Sequence, residues 1–386
     1  MAIINRIAAY SDDMKTWRQH LHAHPELDFE CHETAKFIIA RLTEFGVDEI
    51  HDGIATSGIV ALINGQGDGP TIGLRADMDA LPIQEVRDLD YKSKTDGKMH
   101  ACGHDGHMTM LLGAARYLAE TRQFKGRVAL IFQPAEEGGA GGKVMCEEGI
   151  MTRFDISQVY GIHNWPGLAE GRIATTPGPI MAAADHFSVT IKGLGGHGAM
   201  PHTTIDPIII GSAILQGFQT IVSRNTNPLD AVVISTTQFH AGDAFNVVPE
   251  MAELHGSVRT FTKDVRTMVK TRMAEIVENT AKSYGATATL TYDDGYPPTV
   301  NDASAVAFAT TVAAELLGET SVAADTAPSM ASEDFSFMLQ ERKGAYLFLG
   351  IGESPSLHHP EYDFKDTVAP IGASFFAKLV ETAQPL

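Results

Sequence analysis

Along the first part of the chain, apolar positions recur at helical spacing in some stretches and bunch into short unbroken runs in others. Helical spacing marks Ile7–Leu21 and Glu33–Phe45, the second closed by Gly46. Apolar runs at Gly58–Ile63, Thr71–Leu74, Arg127–Phe132 and Gln158–Ile162 are bounded by Gly, Pro or charge and are short enough for buried strands. His107–Thr121 reads as a helix between them. Strands alternating with helices predict an α/β unit, a mostly parallel sheet with helices on both faces.

The pattern changes after the turn signals of Thr176–Pro179. His186–Lys192 alternates apolar and polar residues, Asp206–Ser223 is helical, and Ala231–Phe239 and Met251–Phe261 read as strands. Val265–Tyr284 is helical up to Gly285, and Thr287–Tyr292 alternates again. This βαββαβ order predicts a ferredoxin-like sheet with two helices on one face. From Thr299 the helix–strand alternation returns and ends on helical Ala369–Thr382. The expected organisation is therefore a core domain in two parts, residues 1–181 and 297–386, around an inserted domain over 182–296.

Charge narrows the function classes. Lys and Arg number 29 against 48 Asp and Glu, a formal charge of −19, which argues against nucleic acid and anionic lipid as partners. No run of eighteen apolar residues is present, so no membrane span is expected. The opening residues lack a basic, then apolar, then small-residue leader pattern, and the expected location is cytoplasmic. Three widely spaced cysteines, Cys31, Cys102 and Cys146, do not suggest a disulfide framework; a special one among them would be a metal ligand or nucleophile.

Four segments carry the candidate chemistry. Met99–His107 places Cys102 and His104 two apart ahead of a helix, and thiolate with imidazole suits a zinc-like ion, although Asp and His also serve as caps in such a turn. In Ile131–Gly139 an apolar run leads into adjacent Glu136 and Glu137, whose side chains project differently, so that one can bind metal while the other moves protons. The ordinary alternative is a solvated acidic turn. His163 ends a third run, and Ser356–Glu361 brings His358 and His359. Four such segments together suit two ions sharing carboxylate and solvent ligands.

These residues fall within a longer series: Leu21–Glu26, Leu74–Pro82, His100–Asp105, Gln133–Gly138, Gly161–His163, Gly195–His202, Asn246–Pro249, Gly256–Thr260, Ser332–Phe335 and Leu357–Pro360. In that order they resemble the aminoacylase/carboxypeptidase family of two-metal amidohydrolases, within its hippurate hydrolase and auxin-conjugate hydrolase subgroup. The resemblance implies an inserted lid and dimerisation domain, and hydrolysis of the amide bond of N-acyl-amino acids by metal-activated water. It implies Cys102, His104, Glu137, His163 and His358 as ligands of two divalent ions (zinc, with manganese, cobalt or nickel as alternatives), Glu136 as general base, and Asp77 and Asp105 as groups orienting ligands. His197, Asn246 and Arg259 match substrate-contacting residues, His197 being supplied across a homodimer or higher homo-oligomer. Branches of the family with His-x-Asp differ from Asp77-Met-Asp79 here, so the bridging ligand does not carry over.

His20, His22 and His24 resemble a metal cluster by count, yet on a helix residues two apart face different ways, and they are assigned to structure. His107 and His202 are expected to cap or to support ligands, and Cys31 and Cys146 to be inert. Within the same fold, a dipeptidase, a carboxypeptidase or an N-acetyl-diaminopimelate deacetylase is the alternative. From a different class, the alternative is a catalytically silent binding dimer.

Overall fold

In the computed structural model, which describes residues 3–386, the apolar runs of the first half lie side by side in one eight-stranded sheet. The start of the segment read above for a leader lies outside those residues. The spatial order is Glu49–Ile54, Gly58–Asn64, Arg127–Gln133, Thr71–Asp77, Ile156–Trp165, Lys343–Gly350, Ile173–Ala174 and Val322–Ala323. The four strands from Arg127–Gln133 to Lys343–Gly350 are mutually parallel. Their near-continuous burial is what a sheet covered on both faces requires. Toward one edge the sheet turns antiparallel, because Glu49–Ile54 and Gly58–Asn64 form a hairpin and the latter runs against Arg127–Gln133. A hairpin needs only a tight turn, which apolar runs alone do not distinguish from a crossover.

Helix His104–Thr121 is buried over most of its length and packs against Ser11–Ala23, His32–Glu44 and Ala369–Ala383. It begins at His104, three residues before the point that apolar periodicity indicates, because its first turn is polar and therefore silent in that pattern. Gly103 precedes it at φ +90°, and a Cβ there would fall 1.7 Å from Asn164 Oδ1. Only glycine allows the chain to turn from Cys102 into the helix this closely against Asn164. Arg18, with a side chain only 1% exposed, reaches Asp366 (2.5 Å) and Asp363 (2.9 Å), tying helix Ser11–Ala23 to the segment that follows His358.

The predicted βαββαβ element order is present as a separate four-stranded antiparallel sheet, ordered Val232–Ala241, Met251–Thr260, Ala183–Lys192 and Thr287–Tyr296. Its helices are Pro207–Thr220, capped by the Asp206 carboxylate on Ile208 N, and Lys263–Ser283, capped by Thr262 on Val265 N. Phe187, Val189 and Ile191 from the sheet and Ile210, Ile214, Val269 and Met273 from the helices share one apolar core. The chain divides into two compact units. The first runs to Ile180 and resumes over Val300–Ala327 and Asp334–Leu386; the second comprises Met181–Thr299 and Pro328–Glu333. Among the described residues no helix is long and apolar enough to cross a membrane.

Candidate metal centre

The ends of the parallel strands, the start of helix His104–Thr121 and the loop of His358 bring Cys102, His104, Glu136, Glu137, His163 and His358 together. Cys102, His104 and His163 present ligand atoms within 4.8 Å of one another, as do Cys102, Glu137 and His358, and His104, Glu136 and Glu137. Cys102 is common to the first two sets, so its sulfur is a donor that two ions can share. Cys102 Sγ lies 3.4 Å from His163 Nε2, and Glu137 Oε2 lies 3.4 Å from His358 Nε2. His358 reaches this place from a left-handed backbone position (φ +64°), its N–H held by Ala101 O at 2.8 Å.

The hydrogen bonds around the imidazoles leave one nitrogen of each turned to the cluster. His163 Nδ1 donates to Asn164 O (2.7 Å) and His104 Nδ1 to Asp79 O (2.8 Å). Each bond keeps the Nδ1 proton, so that the neutral ring carries its lone pair on Nε2, the arrangement a metal ligand needs. His104 Nε2 and Glu137 Oε1 are buried and have no hydrogen-bond partner among the described residues. Leaving such atoms unpaired is costly unless something binds them.

The electrostatics favour a cation. Burial pushes the Cys102 thiol well above its usual range, and Glu137, Glu136 and Asp77 push it further. Burial alone would lower His104, but Asp77, Asp79 and Glu137 raise it to about 10. His163 is held well below the ordinary range by burial and by His107. A site that stabilises positive charge at His104 while offering imidazole, thiol and carboxylate donors fits a divalent ion of the borderline type.

Glu136 and Glu137 owe their placement to Asp79. Its two carboxylate oxygens accept the backbone N–H groups of Glu136 (2.9 Å) and Glu137 (3.0 Å), just after Ala135 at φ +56°. Asp79 was not nominated from the sequence, because it acts through backbone atoms that no motif displays. Asp77 accepts from His107 Nδ1 (2.6 Å) and from Arg75 Nη1 (2.7 Å), and His107 Nε2 in turn accepts from Asn164 N (3.0 Å). Asp105 turns the other way, to His22 Nδ1 (2.8 Å) and Gly106 N (2.9 Å). Burial opposes charge on His22, yet Asp105 and Glu85 raise it to about 9. His22 is thus buried in an ion pair while His20 and His24 are exposed, so the three histidines do not converge.

In the second unit, His197 lies on the short strand Gly196–His197, pairing with Val247 beside Asn246, and its Nδ1 accepts from Ala199 N (3.1 Å). Arg259 lies on Met251–Thr260 opposite Ala184, half-buried, its Nη1 without a hydrogen-bond partner among the described residues. Burial lowers the pKa of this guanidinium, and only Asp185 counters it. Cys31 and Cys146 are both buried; burial raises Cys31, and raises Cys146 to about 12.

Comparison with known proteins follows the same lines. A family model described as peptidase family M20/M25/M40 matches residues 73–382. A hippurate hydrolase of Campylobacter jejuni is 40% identical over 379 residues, covering 98% of each chain. A thermostable carboxypeptidase of Saccharolobus solfataricus is 39% identical over 375 residues, covering 95% of this chain and 94% of that protein. A Bacillus subtilis crystal structure, described as a dinuclear metal binding peptidase, superposes with a TM-score of 0.87 at 36% identity, over 98% of this chain and 99% of that one.

Proposed function

Because this chain belongs to peptidase family M20/M25/M40, and so performs metal-dependent amide hydrolysis at a dinuclear site, we propose that its substrates are small N-acyl-amino acids of the hippurate or N-acetyl type. Cys102, His104, Glu137, His163 and His358 hold the two ions, zinc or else manganese, cobalt or nickel. The pair, when bound, makes water more acidic and polarises the scissile carbonyl. The carboxylate of Glu136 takes a proton from the attacking water and delivers it to the nitrogen as the C–N bond breaks, releasing the acyl acid and the free amino acid. Asp79 keeps the duties of the two glutamates apart by pinning both backbone N–H groups. That pinned Glu136–Glu137 pair, beside the two ligand groups that share Cys102, is the observation that carries the reading.

Arg259 supplies the cation that an acidic protein needs for the substrate carboxylate. His197 and Asn246 contact the amide region. Arg259 pairs with Ala184, whereas the ladder at Lys192 and Met251 leads on toward His197 and Val247. Eight residues at about 3.3 Å each separate Ala184 from Lys192 along the strand, roughly 26 Å, more than a small acyl-amino acid spans. The reading is therefore a homodimer in which His197 serves the partner's site. Inactive His197→Ala and Glu136→Gln variants, mixed and allowed to exchange subunits, are expected to recover up to about a quarter of wild-type activity, because random mixing makes half the dimers mixed and each of these has one intact site. Exchange without recovery would remove His197 from the composite site.

The substrate class is tested with a panel of hippurate, N-acetyl-amino acids and dipeptides at defined zinc, manganese or cobalt. Acylated amino acids are expected to give the higher kcat/KM. A preference for dipeptides with a free amino terminus would instead place the chain with carboxypeptidases and dipeptidases.

A further inference from the structure

We propose that Arg75 is a positioning residue that keeps the Asp77 carboxylate off the ion held by His104, and so limits how many protein donors that ion receives. The proposal rests on the reading of His104 as a ligand.

Asp77 Oδ2 lies 3.6 Å from His104 Nε2, the ring nitrogen turned to the cluster. Two atoms bound to one zinc ion at about 2.0–2.2 Å each can stand nearly that far apart. Asp77, His104 and His107 also lie within 4.8 Å of one another as a group able to hold a cation. Distance and charge alone would therefore draw Asp77 onto the ion.

Arg75 stands two residues earlier on the same strand, so its side chain leaves from the same face. Its Nη1 is 2.7 Å from Asp77 Oδ2, the oxygen that faces His104. The guanidinium is buried and its other two nitrogens are engaged, Nη2 with Asp334 Oδ1 (3.1 Å) and Nε with Gln133 Oε1 (2.9 Å). Asp334 is held in turn by Gln133 Nε2 (2.7 Å) and by Gly142 N (2.7 Å). The second oxygen of Asp77 accepts from His107 Nδ1, whose ring is fixed from behind by Asn164 N.

Both Asp77 oxygens thus have protein donors on geometry that cannot follow a shift toward His104. The positive charge beside Oδ2 also opposes a dication there. The consequence is chemical. A further carboxylate would add negative charge to the ion and occupy a coordination position that a catalytic site keeps open.

The test reads ion retention without substrate. Zinc-loaded wild type, Arg75→Met and Arg75→Lys are dialysed against a chelator, and zinc per chain is followed by elemental analysis. Arg75→Met is expected to lose one of its two ions about tenfold more slowly than wild type, while kcat falls. A merely structural role moves retention the opposite way, since losing groups that support ligands costs about 10–100-fold in affinity. Arg75→Lys, which keeps the cation, is expected to match wild type, and adding Asp77→Asn to Arg75→Met to abolish the gain. If Arg75→Met does not fold, Arg75→Met with Asp334→Asn removes one charge of each sign and carries the same expectation. Unchanged or faster loss from the folded methionine variant would overturn the proposal. A wild type that retains no zinc would overturn the ligand reading itself, and this proposal with it.

Discussion

Glu136→Gln is expected to slow amide hydrolysis by roughly 10²–10⁴-fold while leaving two ions per chain in place. Glutamine matches glutamate in size but cannot accept a proton from water or return it to the departing nitrogen. Its backbone N–H still reaches Asp79 Oδ1, so the position of Glu137, and with it the Glu137–His358 contact, is preserved. The loss therefore falls on kcat, and at 1.36 kcal/mol per factor of ten it corresponds to about 3–5 kcal/mol of barrier. Turnover measured beside metal content separates the two duties assigned to the glutamate pair. Unchanged kcat at full metal occupancy would take the proton-transfer role from Glu136. Loss of metal in step with activity would instead make this residue a ligand.

The candidate ligand segments were legible in the sequence because each is a short contiguous run at the end of a strand, at the start of a helix or in a single loop. Cys102, His104, Glu137, His163 and His358 need only their own strand or loop to be recognised, and the structure brings them into overlapping groups. What supports them was much less visible. Asp79 acts on backbone N–H groups 57 and 58 positions away, and Arg75 meets Asp334 across 259 positions, so neither leaves a local pattern. The early start of the helix at His104 was hidden for a related reason, since its first turn is polar and apolar periodicity cannot register it. In the inserted domain, alternation and two strong helical patterns were enough to anticipate the element order, because one face of each element packs on a single core. The place of Arg259 opposite Ala184, at the other end of the ladder from Lys192 and Met251, follows from strand register, which alternation alone does not specify.

Removing the divalent ions with a chelator is expected to abolish hydrolysis, and adding Zn²⁺, Mn²⁺ or Co²⁺ to restore it. Around Cys102 the protein packs Glu137, Glu136 and Asp77 close enough to raise a thiol that burial has already raised. As a thiolate, the form that binds metal, this sulfur would be repelled by those carboxylates unless a cation offsets them. His104 Nε2 and Glu137 Oε1 have no hydrogen-bond partner among the described residues, which leaves both atoms free to bind an ion. Metal binding should therefore support the fold as well as the chemistry, since a ligand at a thousand times its Kd stabilises the folded state by about 4 kcal/mol. Chelation is accordingly expected to lower Tm along with activity, and readdition to recover both. Full activity in a sample verified as metal-free would defeat the two-metal mechanism. Activity lost with no change in Tm would show that the ions serve catalysis without supporting the fold.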